Sequence, residues 1–485
     1  MDDYESYDAL GLAELVGKGA VSPEELLNAA LARVAERNPA LNAVTVMAED
    51  TARGLIAAGL PQGPFTGVPF LLKDLGAEAV DFPSHNGSRL LANTRYGGDS
   101  SIYSRLAATG LVTFGRAASP EGGIGPVTEA AVYGGPTRNP WDLGRTSGGS
   151  SGGSGSAVAA GIVPSAHGSD GGGSVRIPAA SCGLFGMKPT RARLPDGPYA
   201  GEGWAGMAMD GFLTRSVRDS AALLDACNGP DLGAPYAAPP MAGTFTQALS
   251  VRPKGLRVGV CFGTYAGAPI HADCRTAVAW TAKLLEDLGH HVEEVAPQAD
   301  FSGMMAAWTR IVACGTASWV RATCKAKGLD GPGDLVQGVV HGAIRMAEGI
   351  SGADYLDSVN KVHAFGREMA AFFTGHDILL SATLAEPPAE VGRFNHDRPE
   401  FGDFANYRNG PEGVFAYSPF CAVFNASGQP ATSIPLCWNA AGLPIGLHLG
   451  AAFGQDEMLM ALSAQLEEAA PWFHRRPDLA ASGQA

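Results

Sequence analysis

Two glycine-rich runs hold the residues of this 485-residue chain best suited to chemistry. The first is Gly148-Gly149-Ser150-Ser151-Gly152-Gly153-Ser154; the second, Asp170-Gly171-Gly172-Gly173-Ser174, ends on a serine 24 residues after Ser150. A serine hydroxyl becomes a nucleophile when a neighbouring group removes its proton. Glycines let backbone N–H groups come close to a ligand. Glycine and serine alone also describe a flexible linker, but ordered apolar segments flank this run and a second serine-bearing loop follows at a defined distance. Lys73 ends the apolar stretch Val68-Pro69-Phe70-Leu71-Leu72; alone, a lysine at a strand end reads as a surface residue. His290, His291, Glu293 and Glu294 offer metal-ligand atoms on paper, yet their place at a helix-to-strand turn reads as solvated surface.

The elements that must position these residues follow from periodicity. Leu10, Leu12, Leu15 and Val16 have helical spacing, and Ser22-Pro23-Glu24-Glu25 has the form of a helix N-cap with proline at the first turn; residues 6–60 therefore read as helical. Val68 to Lys73 and Leu111 to Gly115 read as buried strands. Ala157 to Val163 reads as a helix running into a strand. Asn228 to Lys254, rich in Pro, Ala and Gly, reads as a long surface connection. Leu256–Val260, Cys274–Leu288 and Gly289–Val295 then alternate strand, helix and strand. This predicts an α/β protein: one large domain with a central mixed, mostly parallel twisted sheet covered by helices on both faces. The expected divisions are an N-terminal helical region (1–62), a core holding both serine loops (63–220), a connection (221–255), a second half of the core (256–475) and a frayed tail (476–485).

The stretch from Gly148 through Ser181-Cys182-Gly183-Leu184-Phe185-Gly186-Met187-Lys188-Pro189-Thr190 resembles the amidase signature family nearly residue by residue. Gly67-Val68-Pro69 through Lys73-Asp74, Thr137-Arg138-Asn139-Pro140-Trp141-Asp142, Arg215-Ser216-Val217-Arg218-Asp219 and Ser427-Gly428-Gln429-Pro430-Ala431 resemble further landmarks of that family. The resemblance spans about residues 6–475 and is weakest between about 300 and 420. It departs at Gly171, where the family usually carries threonine or another side chain.

That resemblance implies a hydrolase of carbon–nitrogen bonds working without cofactor or metal. It implies Ser174 as nucleophile, Ser150 as bridging serine behind a cis Gly149–Ser150 peptide, and Lys73 as base. A lysine takes a proton only as a neutral amine, which requires a site that lowers its pKa. It further implies an oxyanion hole of backbone N–H groups from Gly171, Gly172, Gly173 and Ser174, with Asp170 and Arg176 as braces; each such donor is typically worth ~3 kcal/mol in the transition state. Gly149, Ser151 and Cys314, the last within Trp308 to Trp319, are candidates for substrate contact. For Ser151 a loop-structuring role, and for Cys314 a buried thiol, are the blander readings. Phe394-Asn395-His396-Asp397-Arg398-Pro399-Glu400 reads equally as an active-site cap or an ordinary surface loop. Within the family the chain resembles in particular the 6-aminohexanoate cyclic-dimer hydrolases, through Ala166-His167-Gly168 and Pro471-Trp472-Phe473-His474, and then aryl acylamidases and carbamate-cleaving relatives.

Rival functions draw on the same residues. Gly148-Gly149-Ser150-Ser151-Gly152 satisfies the G-x-S-x-G nucleophile elbow, but Arg145-Thr146-Ser147 before it is no apolar strand and nothing marks a partner histidine. Two more rivals share the fold: a glutamine-hydrolysing amidotransferase subunit, acting with partner subunits, and a non-catalytic ligand-binding protein. The net charge of −14 argues against nucleic acid, whose phosphates need a basic face. No apolar run reaches membrane-spanning length, and the acidic start Met1-Asp2-Asp3 is unlike a signal peptide. Eight scattered cysteines without zinc spacing read as reduced thiols of a cytoplasmic protein. The expected partner is a small-molecule amide, with a homodimer left open.

Overall fold

In the computed structural model, which describes residues 1 and 3–479, the apolar runs form strands at Val44–Met47 (β1), Pro69–Lys73 (β2), Val112–Ala117 (β3), Arg138–Asn139 (β4), Asp142–Thr146 (β5), Ser165–Asp170 (β6), Phe185–Lys188 (β7), Met209–Thr214 (β8), Arg257–Val260 (β9), His291–Glu294 (β10), Ile378–Ala382 (β11), Ala431–Trp438 (β12) and Pro444–Ala451 (β13). Eleven of them make one sheet in the order β1-β3-β2-β6-β8-β7-β12-β13-β11-β9-β10, and β4 and β5 form a separate ribbon.

Every residue of β2 is buried. Side chains alternate between the faces of a strand, and the two faces of β2 enter two different apolar clusters. Phe70 and Leu72 join one. Leu71 joins the other, with Val112 and Phe114 of β3, Leu27 and Ala30 of the helix Pro23–Leu41, and Ala157 and Val158 of the helix Gly152–Ala159. Helices thus cover both faces, as expected, and Lys73 ends a strand that meets no solvent.

The expected parallel majority is not found. Four strand pairings are parallel (β2 with β3 and β6; β9 with β10 and β11) and six are antiparallel. The reason is local. The turn Asn439–Leu443 folds β12 straight back onto β13, a connection too short for a parallel crossover. Two other readings change. Residues 44–47 lie in the region read as helical but form a strand, because Val44-Thr45-Val46 suits an extended edge and pairs with β3. Of the expected tail, residues 480–485 lie outside the described residues, whereas Arg476 is anchored, its Nη2 donating to the Glu5 carbonyl at 2.7 Å.

The predicted helix start at Ser22 is present as a reciprocal capping box: Glu25 N–H donates to Ser22 Oγ (3.2 Å) and Ser22 N–H to Glu25 Oε2 (2.8 Å). A buried guanidinium then fixes the chain beyond Lys73. Arg116 of β3, fully buried, donates to the carbonyls of Lys73 (2.8 Å), Gly76 (3.1 Å), Ala77 (2.9 Å) and Phe82 (2.9 Å). Arg116→Met keeps much of the volume but leaves these carbonyls without donors. It should lower unfolding free energy by about 2–3 kcal/mol, measured by urea denaturation; an unchanged midpoint would contradict this role.

Candidate active site

Lys73, Ser150, Ser169 and Ser174 converge at the end of β2 and β6. Lys73 Nζ lies 2.6 Å from Ser150 Oγ and 2.9 Å from Ser169 Oγ, and Lys73 is fully buried. Its nearest polar partners are hydroxyls rather than carboxylates, so nothing compensates a full charge at bonding distance. Burial pushes its pKa down to about 7, against the opposing influence of the Asp210 and Asp170 charges.

The first serine run is not a linker. It enters from the ribbon of β4 and β5, two strands the sequence reading missed, through the cis Gly149–Ser150 peptide into the helix Gly152–Ala159, which is buried along its whole length. The glycines serve close packing. A Cβ on Gly153 would lie 2.2 Å from Ala118 N, and one on Gly149 2.6 Å from the Val127 backbone. Ser151 ties the two serine loops together: its N–H donates to the Ser174 carbonyl (3.2 Å), its hydroxyl to the Ser169 carbonyl (3.2 Å), and its Oγ accepts from Ser169 N–H (3.2 Å).

The second run is held from below by Asp170. The Arg176 guanidinium grips both carboxylate oxygens (2.8 and 3.0 Å), and Asn425 Nδ2 donates to one (2.9 Å). Burial alone would raise this carboxyl, but Arg176 outweighs it and holds Asp170 below the usual range. Asp170 in turn accepts the N–H groups of Gly173 (2.7 Å) and Val175 (3.2 Å). Of the four loop N–H groups considered in the sequence, Gly173's is therefore engaged inward. Those of Gly171, Gly172 and Ser174 have no hydrogen-bond acceptor among the described residues. The positive φ of Gly173 (+123°) turns the chain at this point, in a region L side chains avoid. From above, Trp308 and Trp204 close on the glycines: a Cβ on Gly172 would lie 2.1 Å from the Trp308 ring, and one on Gly171 2.6 Å from Trp204.

Ser150, Ser169, Gly171 and Ser174 open onto a cavity of about 270 Å³, walled by Leu75, Ile102, Trp204, Met209 and the carboxyl side chains of Glu78, Asp196 and Asp210. A second hollow of about 370 Å³ shares Asp196, Ala200 and Ala208 with it. Not every expected contact faces this space. Gly149 and Ser151 pack behind it. Cys314, half-buried on the helix Phe301–Lys327, is outside the lining, although its neighbour Gly315 packs on Trp204. The segment 394–404 turns Phe394, His396, Phe401 and Phe404 inward and does not line the cavity.

No three His, Cys, Asp or Glu side chains among the described residues are grouped to hold a metal ion. His290, read as solvated, is instead buried, because partners distant in sequence engage both ring nitrogens: Nε2 lies 3.3 Å from Gln465 Oε1 and Nδ1 accepts Leu256 N–H. Sequence reasoning gave no role to Ser169, His167 or Asp210. Ser169 stands inside the second motif, in Gly168-Ser169-Asp170; Asp210 lies 40 residues downstream with no local signature.

The packing of Trp308 on Gly172 makes a testable geometry. Gly172→Ala should cost about 1–3 kcal/mol of stability through overpacking, and Trp308→Leu in the same chain should recover part of it. Additive losses in a denaturation double-mutant cycle would refute the contact.

The family model "Amidase" matches residues 25–460. A 6-aminohexanoate-cyclic-dimer hydrolase of Paenarthrobacter ureafaciens is 36% identical over 481 residues, covering 97% of this chain and 96% of that protein. The solved structure of a 6-aminohexanoate cyclic dimer hydrolase complexed with substrate superposes with a TM-score of 0.92 at 35% identity, covering 98% and 99% of the two chains. A bacterial aryl acylamidase of the amidase signature family superposes with a TM-score of 0.86 at 30% identity over 96% of each chain. With sequence and fold matched along nearly its whole length, the chain belongs to the amidase signature family and is a hydrolase acting on amide bonds.

Proposed function

We propose that the chain hydrolyses small amides through an acyl-enzyme on Ser174, with Ser150 as proton relay and Lys73 as base. The observation that carries this reading is the 2.6 Å approach of a fully buried Lys73 amine to Ser150 Oγ, with Ser150 and Ser174 on one cavity wall. An amine whose pKa burial sets at about 7 is substantially neutral at physiological pH, as a base must be.

In this mechanism Ser174 Oγ attacks the substrate carbonyl while its proton passes to Ser150, and Ser150's passes to Lys73 Nζ. The N–H groups of Gly171, Gly172 and Ser174 receive the developing oxyanion; Gly173 contributes by holding the loop on Asp170. The relay then returns a proton to the nitrogen, the carbon–nitrogen bond breaks, and the amine leaves. Water activated by the same relay attacks the ester, releasing a carboxylic acid and restoring Ser174.

The proposed substrates are linear, cyclic or aryl amides, with carbamates as a further class, in keeping with relatives named for cyclic-dimer and aryl-acyl amide hydrolysis. Those names, and the complete Lys–Ser contact, favour this over an amidotransferase subunit or a non-catalytic binding protein. Eight free thiols are consistent with a reducing compartment such as the cytoplasm.

A panel of linear amides, cyclic amides, anilides, esters and carbamates tests the reading. Ser174→Ala should abolish turnover with the fold intact, and Ser150→Ala and Lys73→Ala should each lower kcat by about 10³-fold or more. Turnover by Ser174→Ala would refute the nucleophile. Because protonated Lys73 is inactive, kcat/KM should fall as pH drops below about 7 and level off above it. A flat profile from pH 5 to 8 would refute Lys73 as base.

A further inference from the structure

Lys73 is held at both its backbone and its amine by one neighbouring strand pair. β6 and β8 run antiparallel with Ser169 opposite Asp210 and His167 opposite Phe212. Ser169 Oγ reaches the Lys73 amine at 2.9 Å, while Lys73 N–H donates to His167 Nδ1 at 3.2 Å. An Nδ1 that accepts carries no hydrogen, so the imidazole is neutral with its hydrogen on Nε2. That Nε2 lies 3.0 Å from Asp210 Oδ1 and donates to it. His167 is fully buried, with its ring against the edge of Phe212, so the imidazole has one orientation and one tautomer.

The charges around Lys73 are unequal in their freedom to act on it. Asp170 is locked to Arg176 through two oxygens. Arg116, from β3, spends its guanidinium on backbone carbonyls. Asp74 accepts from His85 N–H and from the Tyr133 hydroxyl. Asp210 has no cationic partner among the described residues. Lining the same cavity are Glu78 and Asp196, both buried enough that their carboxyls are raised, Asp196 to about 8, with Asp210's own charge adding to the effect.

We propose that Asp210 is a positioning residue for Lys73, acting through the His167 imidazole on the lysine's strand end and through its own negative charge on the lysine's amine. The proposal rests on Lys73 being the base. Asp210 fixes the tautomer that accepts Lys73 N–H, and its carboxylate opposes the burial that otherwise weakens the amine as a proton acceptor. A base must hold a proton well enough to take it from Ser150 yet be free of it at working pH. Of the two carboxylates that act on the buried lysine, Asp170 is tied to Arg176 while Asp210 is hydrogen-bonded to an imidazole, and its charge provides that balance.

Two variants separate the two actions. Asp210→Asn keeps an oxygen to accept His167 Nε2–H and removes the charge; Asp210→Ala removes both. The readout is the second-order rate of inactivation by diisopropyl fluorophosphate between pH 5 and 9, which reports activation of the serine without needing the natural substrate. Losing a negative charge disfavours the protonated amine. The acid limb of Asp210→Asn should therefore move to lower pH by at least about 0.5 unit, with the plateau lowered about tenfold because the base is weaker. Asp210→Ala should show the same shift and a lower plateau still. An acid limb for Asp210→Asn that superimposes on the parent's overturns the proposal, whatever the plateau, since a merely structural residue changes amplitude without moving the limb. Lys73→Ala is measured alongside. If it retains the parent's acid limb, the base assignment itself is wrong, and the proposal falls with it for a distinguishable reason.

Discussion

A lysine amine buried from solvent, with hydroxyls in place of carboxylates at bonding distance, is the constraint on which the rest of the site depends. Desolvating a cation is costly, so the molecule must either neutralise the amine or surround it with groups that tolerate both protonation states. Ser150 and Ser169 are such groups, since a hydroxyl can donate to a neutral amine or accept from an ammonium. The apolar β2 strand, the Arg116 clasp on the carbonyls behind it, and the helices on both faces of the sheet all keep solvent from this point. The fold is the means by which an ordinary lysine acquires an unusual proton affinity.

The same economy of charge appears under the second serine loop. Asp170 and Arg176 are both fully buried, and such a pair contributes little net stability. Its geometric consequence is larger: by accepting Gly173 and Val175 N–H it fixes the loop, while the N–H groups of Gly171, Gly172 and Ser174 keep no acceptor among the described residues. Trp308 and Trp204 then press on the glycines from the other side. The loop is clamped between a charge pair and two aromatic rings.

Much of this was legible in the sequence because the chemistry is local there. Ser150, Ser174, the glycines and Asp170 fall within one stretch whose composition demands irregular, close-packed backbone, and the apolar run before Lys73 marks its strand. What the sequence could not supply is anything set by strand register. Asp210 and Ser169 meet because β6 and β8 align, and no feature near Asp210 announces that partner. The balance of parallel and antiparallel pairing was misread for the same reason: alternation of helix and strand along the chain does not say which strands become neighbours. His290 reads as solvated because a turn normally is, whereas its ring is engaged by Leu256 and Gln465, both distant in sequence.

The small-residue helix at Gly152–Ala159 divides the molecule into parts that can and cannot drift. With backbone or small side chains pressed against most of its surface, it has almost no volume in which a new side chain could be accommodated. Inherited variation in this segment is therefore filtered by sterics before any effect on reactivity arises. Ile102 and Ala200 line the cavity from other segments, where volume can be exchanged while Trp204 and Trp308 keep their hold on Gly171 and Gly172. A lineage of such proteins can thus vary its cavity wall while the packing around Ser150 and Ser174 stays frozen.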